Sequence, residues 1–123
     1  MIMDKKKTVV IGASSNPERY SYLAVHSLRQ RMHPVVAIGN KSGTIGETDI
    51  ITHNPTEEGV DTVTLYLNPV NQTKYYDYII GLQPKRLIFN PGTENDELAK
   101  LAEKNGIKPV EACTLVLLST NQY

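Results

Sequence analysis

The most chemically suggestive run in the chain is a glycine followed by two hydroxyls, Gly12-Ala13-Ser14-Ser15, with Arg19 and Tyr20 a few residues on. Gly12 is expected to let a ligand approach the backbone. Ser14 and Ser15 offer hydroxyl donors. Free N–H groups at the start of a following helix attract anions, and Arg19 adds a charge-assisted partner for phosphate. Tyr20 supplies a ring able to stack on a base. The run is not a G-x-G-x-x-G fingerprint, because it has one glycine, and no Gly-Lys-Ser or Gly-Lys-Thr marks a Walker P-loop. The plainer reading of the same residues is a tight turn solvated by its serines.

Three other polar segments follow apolar runs: Gly39-Asn40-Lys41, Asn68-Pro69 and Asn90-Pro91-Gly92. Each contains an asparagine, whose amide both donates and accepts hydrogen bonds. A nicotinamide site usually carries Asp or Glu after its second strand, to hold the ribose 2′-hydroxyl. Here Asn40-Lys41 brings no acid and one cation. That weakens NAD and favours a ligand with an extra phosphate near its ribose, although an exposed lysine is also common on any surface.

Other chemistry is sparse. His26, His33 and His53 are not spaced as metal ligands, so no metal site is expected. Cys113 follows an apolar run and opens a short helix. A helix start lowers a thiol's pKa, whereas a buried free cysteine is inert. The carboxylates form no evident acid/base pair and read as helix caps and solvated faces. No catalytic residue is expected.

The elements that must position these groups alternate. Residues 8–11, 34–38, 62–67, 86–89 and 107–110 are short, nearly continuous apolar runs, which suit strands buried on both faces. Helices are expected from Ser21 as N-cap, from about Asn71 to Leu82, after a Thr93-x-x-Asp96 capping box, and from Thr114 to about Ser119. Residues 39–60 read as a long irregular connection with short extended pieces near 44–45 and 49–51. The expected fold class is α/β: a Rossmann-like three-layer α/β/α domain over residues 1–123, with a five-stranded parallel sheet in the order 3-2-1-4-5. In such a sheet the four polar segments lie together beyond the carboxyl ends of the strands.

Composition sets outer limits. The chain has 123 residues, 40% of them hydrophobic, enough for one domain with a real core. Lys plus Arg and Asp plus Glu balance at 13 each, which gives no basic footprint for nucleic acid. No apolar run approaches the roughly 18 to 20 residues of a membrane span, and no signal peptide follows the N-terminal lysines. A single cysteine fits a reducing, cytoplasmic setting.

The run Val9-Val10-Ile11-Gly12-Ala13-Ser14, followed by Asn16-Pro17-Glu18-Arg19-Tyr20-Ser21, resembles the small bacterial CoA-binding domain proteins. These are similar in turn to the N-terminal domain of the succinyl-CoA synthetase α subunit. The likeness continues through Asn40-Lys41, Ile45-Gly46-Glu47, Asp61-Thr62-Val63, Gly106-Ile107 and Cys113. It implies a Rossmann-like fold that binds coenzyme A or acyl-CoA. It implies contacts from Gly12, Ala13, Ser14, Ser15, Arg19 and Tyr20, from Asn40 and Lys41, from Asn68 and Pro69, and from Asn90 and Gly92. The family more often reads Asn-Pro-Lys where this chain has Gly39-Asn40-Lys41, and has Gln before the glycine where this chain has Asn90-Pro91-Gly92. The synthetase's phosphohistidine domain has no counterpart here, so no ligase activity is implied. The expected partner is a nucleotide-type small molecule, with neither nucleic acid nor membrane, and a homodimer is left open. Two other readings stand beside binding without chemistry: a small NADP-type or other nucleotide-dependent enzyme, and a regulatory or interaction module without ligand.

Overall fold

The computed structural model describes residues 5–123. Strand β1 (Thr8–Ile11) leads into helix α1 (Tyr20–Gln30), and β2 (Val35–Ile38) follows. A hairpin of β3 (Gly43–Ile45) and β4 (Thr48–Ile51) precedes β5 (Thr62–Leu65). Then come α2 (Pro69–Gln72), a 3-10 turn (Thr73–Tyr75), α3 (Tyr76–Leu82), β6 (Arg86–Phe89), α4 (Asp96–Lys104), β7 (Lys108–Glu111) and α5 (Thr114–Ser119).

The sheet has seven strands, not five, in the order β3-β4-β2-β1-β5-β6-β7. All neighbours are parallel except β3 and β4. One expectation is sharpened and one is corrected. The connection after β2 is irregular only outside 43–51, where the extended pieces expected near 44–45 and 49–51 form a hairpin joined to the sheet. It folds back at Gly46, whose φ of +59° suits the first central position of a two-residue hairpin turn. That turn buries Ile45 and Ile50. The run at 62–65 is also not the strand beyond β2. β4 takes that place, and β5 pairs with β1 on its other side, Ile11 against Leu65. With β4 as third parallel strand, the order reverses between β1 and β5, which is where an open sheet of this kind binds ligands.

Helices α3 and α4 cover one face of the sheet, where Val9, Ile11, Val63, Leu65, Leu87 and Phe89 meet Ile79 and Leu98. Helices α1 and α5 cover the other, where Val10 and Ala37 meet Val25, Leu28 and Leu118. The alternation of β1 residues between the two clusters follows from the two-residue period of a strand. Each fully buried Leu, Ile, Val or Phe contributes about 1.5–3 kcal/mol.

Three helix boundaries differ from expectation. Helix α1 begins one residue before Ser21, and its N-cap is Arg19, which makes no side-chain cap. The segment from Asn71 breaks into α2, a 3-10 turn and α3, because Asn68 caps a short helix that carries Pro69 at its start. Asn95, not Thr93, caps α4, accepting from Leu98 N.

Candidate functional site

The loops that follow β1, β2, β5 and β6 converge, and three glycines set how closely. Gly12 has φ +97°, and a Cβ there would lie 2.9 Å from the Tyr66 carbonyl carbon. A Cβ on Gly39 would overlap the Ala13 carbonyl oxygen, and one on Gly43 would lie 3.0 Å from Ser15 Cβ. These glycines therefore serve loop-to-loop contact. The first loop is clamped between the loops after β2 and β5, and Asn40-Lys41 arches between the two points, Gly39 and Gly43, where it meets the first loop. Both residues are exposed.

This clamping decides which backbone donors remain. The N–H groups of Gly12 and Ala13 both donate to Ile38 O, each at 2.9 Å. Asn16 N donates to Ser14 Oγ and Glu18 N to Asn16 Oδ1. Among the described residues, the N–H groups of Ser14 and Ser15 have no protein partner. With no side-chain cap at Arg19, the first turn of α1 also presents uncapped N–H groups. Ser15 and Arg19 are exposed beside it.

A cleft runs from that helix start across the sheet edge. One part, about 240 Å³, is lined by Arg19, Tyr20, Leu67, Asn68, Gly92 and Thr93. A second part, about 250 Å³, reaches Asn90, Cys113 and Leu115. Tyr20, Tyr66 and Pro91 line both parts, so the two adjoin. Tyr20 is 73% exposed and stands over the cleft unburied. The Tyr66 hydroxyl is buried, and burial pushes its pKa well above the ordinary tyrosine value. Cys113 is half-buried at the N-cap of α5.

The asparagines divide into two roles. Asn68 is exposed and caps α2, its Oδ1 accepting from Asn71 N at 3.0 Å. Asn90 is buried, and its amide is fully engaged. Nδ2 donates to Thr64 Oγ1 and Leu65 O, and Oδ1 accepts from Thr114 N. Thr64 and Thr114 share a further bond at 2.8 Å. Asn90 thus pins the start of α5 to the sheet and shapes the cleft floor. The Gly92 N–H donates to the Glu94 carboxylate.

Gln72 was not singled out from the sequence. It is fully buried and donates to both Leu67 O and Thr93 O, each at 2.8 Å, while accepting from Asn95. It ties the loops after β5 and β6 together along the cleft wall. Its only sequence signal is the Asn68-Pro69 helix start four residues earlier, which aims Gln72 back at those loops.

The remaining candidates lie elsewhere. His26 is exposed on α1 and His53 is exposed after β4, whereas His33 is buried at the opposite end of the sheet. No group of His, Cys, Asp and Glu suited to a metal ion occurs among the described residues. No helix there is long and apolar enough to cross a membrane.

A solved structure described only as an uncharacterized protein is 49% identical, with a TM-score of 0.95, and the match covers 98% of this chain and 100% of that one. A hypothetical protein from Pyrococcus horikoshii OT3 is 22% identical over 94% of this chain and 83% of its own, with a TM-score of 0.85. A Thermus thermophilus structure, cell-free ID.343, is 19% identical over 97% and 91%, with a TM-score of 0.84. The last two show the shared Rossmann-like fold. No curated protein matches the sequence. The family model described as a CoA binding domain matches residues 6–119, and the chain belongs to that family.

Proposed function

We propose that the protein binds coenzyme A or an acyl-CoA in the cleft beyond the carboxyl ends of the strands, without catalysing a reaction. The observation that carries this is the uncapped start of α1 beside Arg19, Ser14 and Ser15. N–H groups there favour anionic oxygens, and the guanidinium adds charge-assisted bonds, so this is where a diphosphate would sit. Lys41, on the arch packed against the first loop, would meet the ribose 3′-phosphate. The pantetheine arm would follow the cleft past Tyr66 and Pro91 toward Cys113, over a surface that is mostly apolar. The buried Tyr66 hydroxyl is held protonated, so it is no general base near neutral pH.

Thermal unfolding with CoA, acetyl-CoA, dephospho-CoA, NAD and NADP tests the reading, since a ligand of the folded state raises Tm by mass action. CoA and acetyl-CoA should stabilise most. A clear rise with NAD and none with millimolar CoA would refute it.

A further inference from the structure

The two parts of the cleft differ in chemistry. Among the described residues, Arg19 is the one charged side chain lining either part, and it belongs to the part at the α1 start. The other part, about 250 Å³, is walled by the rings of Tyr20 and Tyr66, by Pro91 and Leu115, and by the Cys113 side chain, over Asn90. No Lys, Arg, His, Asp or Glu among the described residues lines it. Small-ligand pockets begin at roughly 300 Å³, so this part suits the end of a ligand held elsewhere rather than a ligand of its own.

Its polar side chains are engaged or out of reach. Asn90 donates both amide hydrogens, to Thr64 Oγ1 and Leu65 O, and its Oδ1 accepts from Thr114 N. The Tyr66 hydroxyl is buried, so the ring alone is left to the cleft. Pro91 has no N–H. A free cysteine behaves as a small hydrophobe with a weak donor. Helix α5 starts here, but with six residues it carries less than the half charge of a long helix. A carboxylate brought to this end would lose water and find no cation in its place, which is costly. Apolar carbon would gain by leaving water.

We infer that this part of the cleft is an acyl subsite, and that the protein selects CoA thioesters of uncharged acyl groups over both free CoA and carboxyacyl-CoA. The inference rests on the CoA reading above. With the diphosphate at Arg19 and the pantetheine arm running toward Cys113, the acyl carbons beyond the sulfur lie against Leu115 and the two tyrosine rings. Free CoA ends at its thiol and leaves those walls to water.

The test is calorimetric titration of the whole chain with CoA, acetyl-CoA, butyryl-CoA and succinyl-CoA, with a phosphine reductant to keep Cys113 and the CoA thiol reduced. Butyryl and succinyl groups differ only at their ends, a methyl in one and a carboxylate in the other. One buried methylene is worth about four-fold in affinity, so butyryl-CoA should bind about ten-fold more tightly than acetyl-CoA. Succinyl-CoA should bind about ten-fold more weakly than butyryl-CoA, or worse. Leu115→Gln should cut the ratio of butyryl-CoA to CoA affinity to a few-fold. Leu115 belongs to neither core cluster, so the variant should fold. Val116→Gln, exposed on the same helix and outside the cleft, should keep the full ratio. Equal affinities for CoA and butyryl-CoA, equal affinities for butyryl-CoA and succinyl-CoA, or a ratio that survives Leu115→Gln would overturn the inference and leave the CoA reading standing. Binding of none of the four would overturn both.

Discussion

Gly39 packs so tightly on the Ala13 carbonyl that no Cβ fits between them, and this contact holds the loop after β2 against the loop after β1. Gly39→Ala should destabilise the protein by about 3 kcal/mol, because backbone rather than a flexible side chain must move. Gly81→Ala, in α3 with nothing within 4 Å, should be neutral or stabilising by up to about 1 kcal/mol. Urea unfolding midpoints check both. Equal midpoints for the two variants would show that the loops are not clamped in this way.

Asn90→Ala should cost about 2–4 kcal/mol, since it strips partners from the buried Leu65 carbonyl, Thr64 hydroxyl and Thr114 N–H. The α5 start should loosen with it. Faster alkylation of Cys113 in the variant is the expected reading, and an unchanged rate would place the anchor of α5 elsewhere.

His33 predicts a pH dependence. Unfolded, it titrates near its ordinary value of 6.5, while in the fold its pKa is lower, chiefly through burial. Just below pH 6.5 the unfolded chain therefore binds the proton more readily than the folded chain. The contribution of His33 is fully present above pH 6.5 and is lost as pH falls from there through the folded value. His33→Gln should flatten the slope of stability against pH in that window. A slope identical to the wild type would assign the pH dependence to other groups.

Lys41→Ala should weaken CoA about ten-fold and leave dephospho-CoA nearly unchanged, if the ammonium meets the 3′-phosphate as proposed. Calorimetric titration of both ligands measures this. Equal losses for the two would mean that Lys41 does not meet that phosphate.

The fold class was legible because β1, β2, β5 and β6 are apolar runs closed by Gly, Asn or Pro. Of the hairpin at 43–51 only short extended pieces were legible, not their place in the sheet, because its strands are short and each buries a single isoleucine. Leaving β4 out of the sheet also misplaced β5, since a strand count decides where the order reverses. The four loops of the site were legible as polar segments at strand ends. The division of labour inside them was not. Whether Gly12 serves a ligand or the Tyr66 backbone, and whether Asn90 faces outward or pins α5, depends on neighbours more than 20 residues away in sequence. Gln72 carried no signal of its own, because its burial arises only when the loops after β5 and β6 close over it.

The central claim is that CoA occupies the cleft at the α1 start. Amide chemical-shift mapping during CoA titration tests it most directly. The account predicts saturable perturbation of Ser14, Ser15, Tyr20, Ser21 and Lys41, reaching Tyr66 and Cys113, with Thr48 and Asp49 on the far hairpin unmoved. Saturable shifts confined to residues outside the cleft, or none at millimolar CoA, would contradict it.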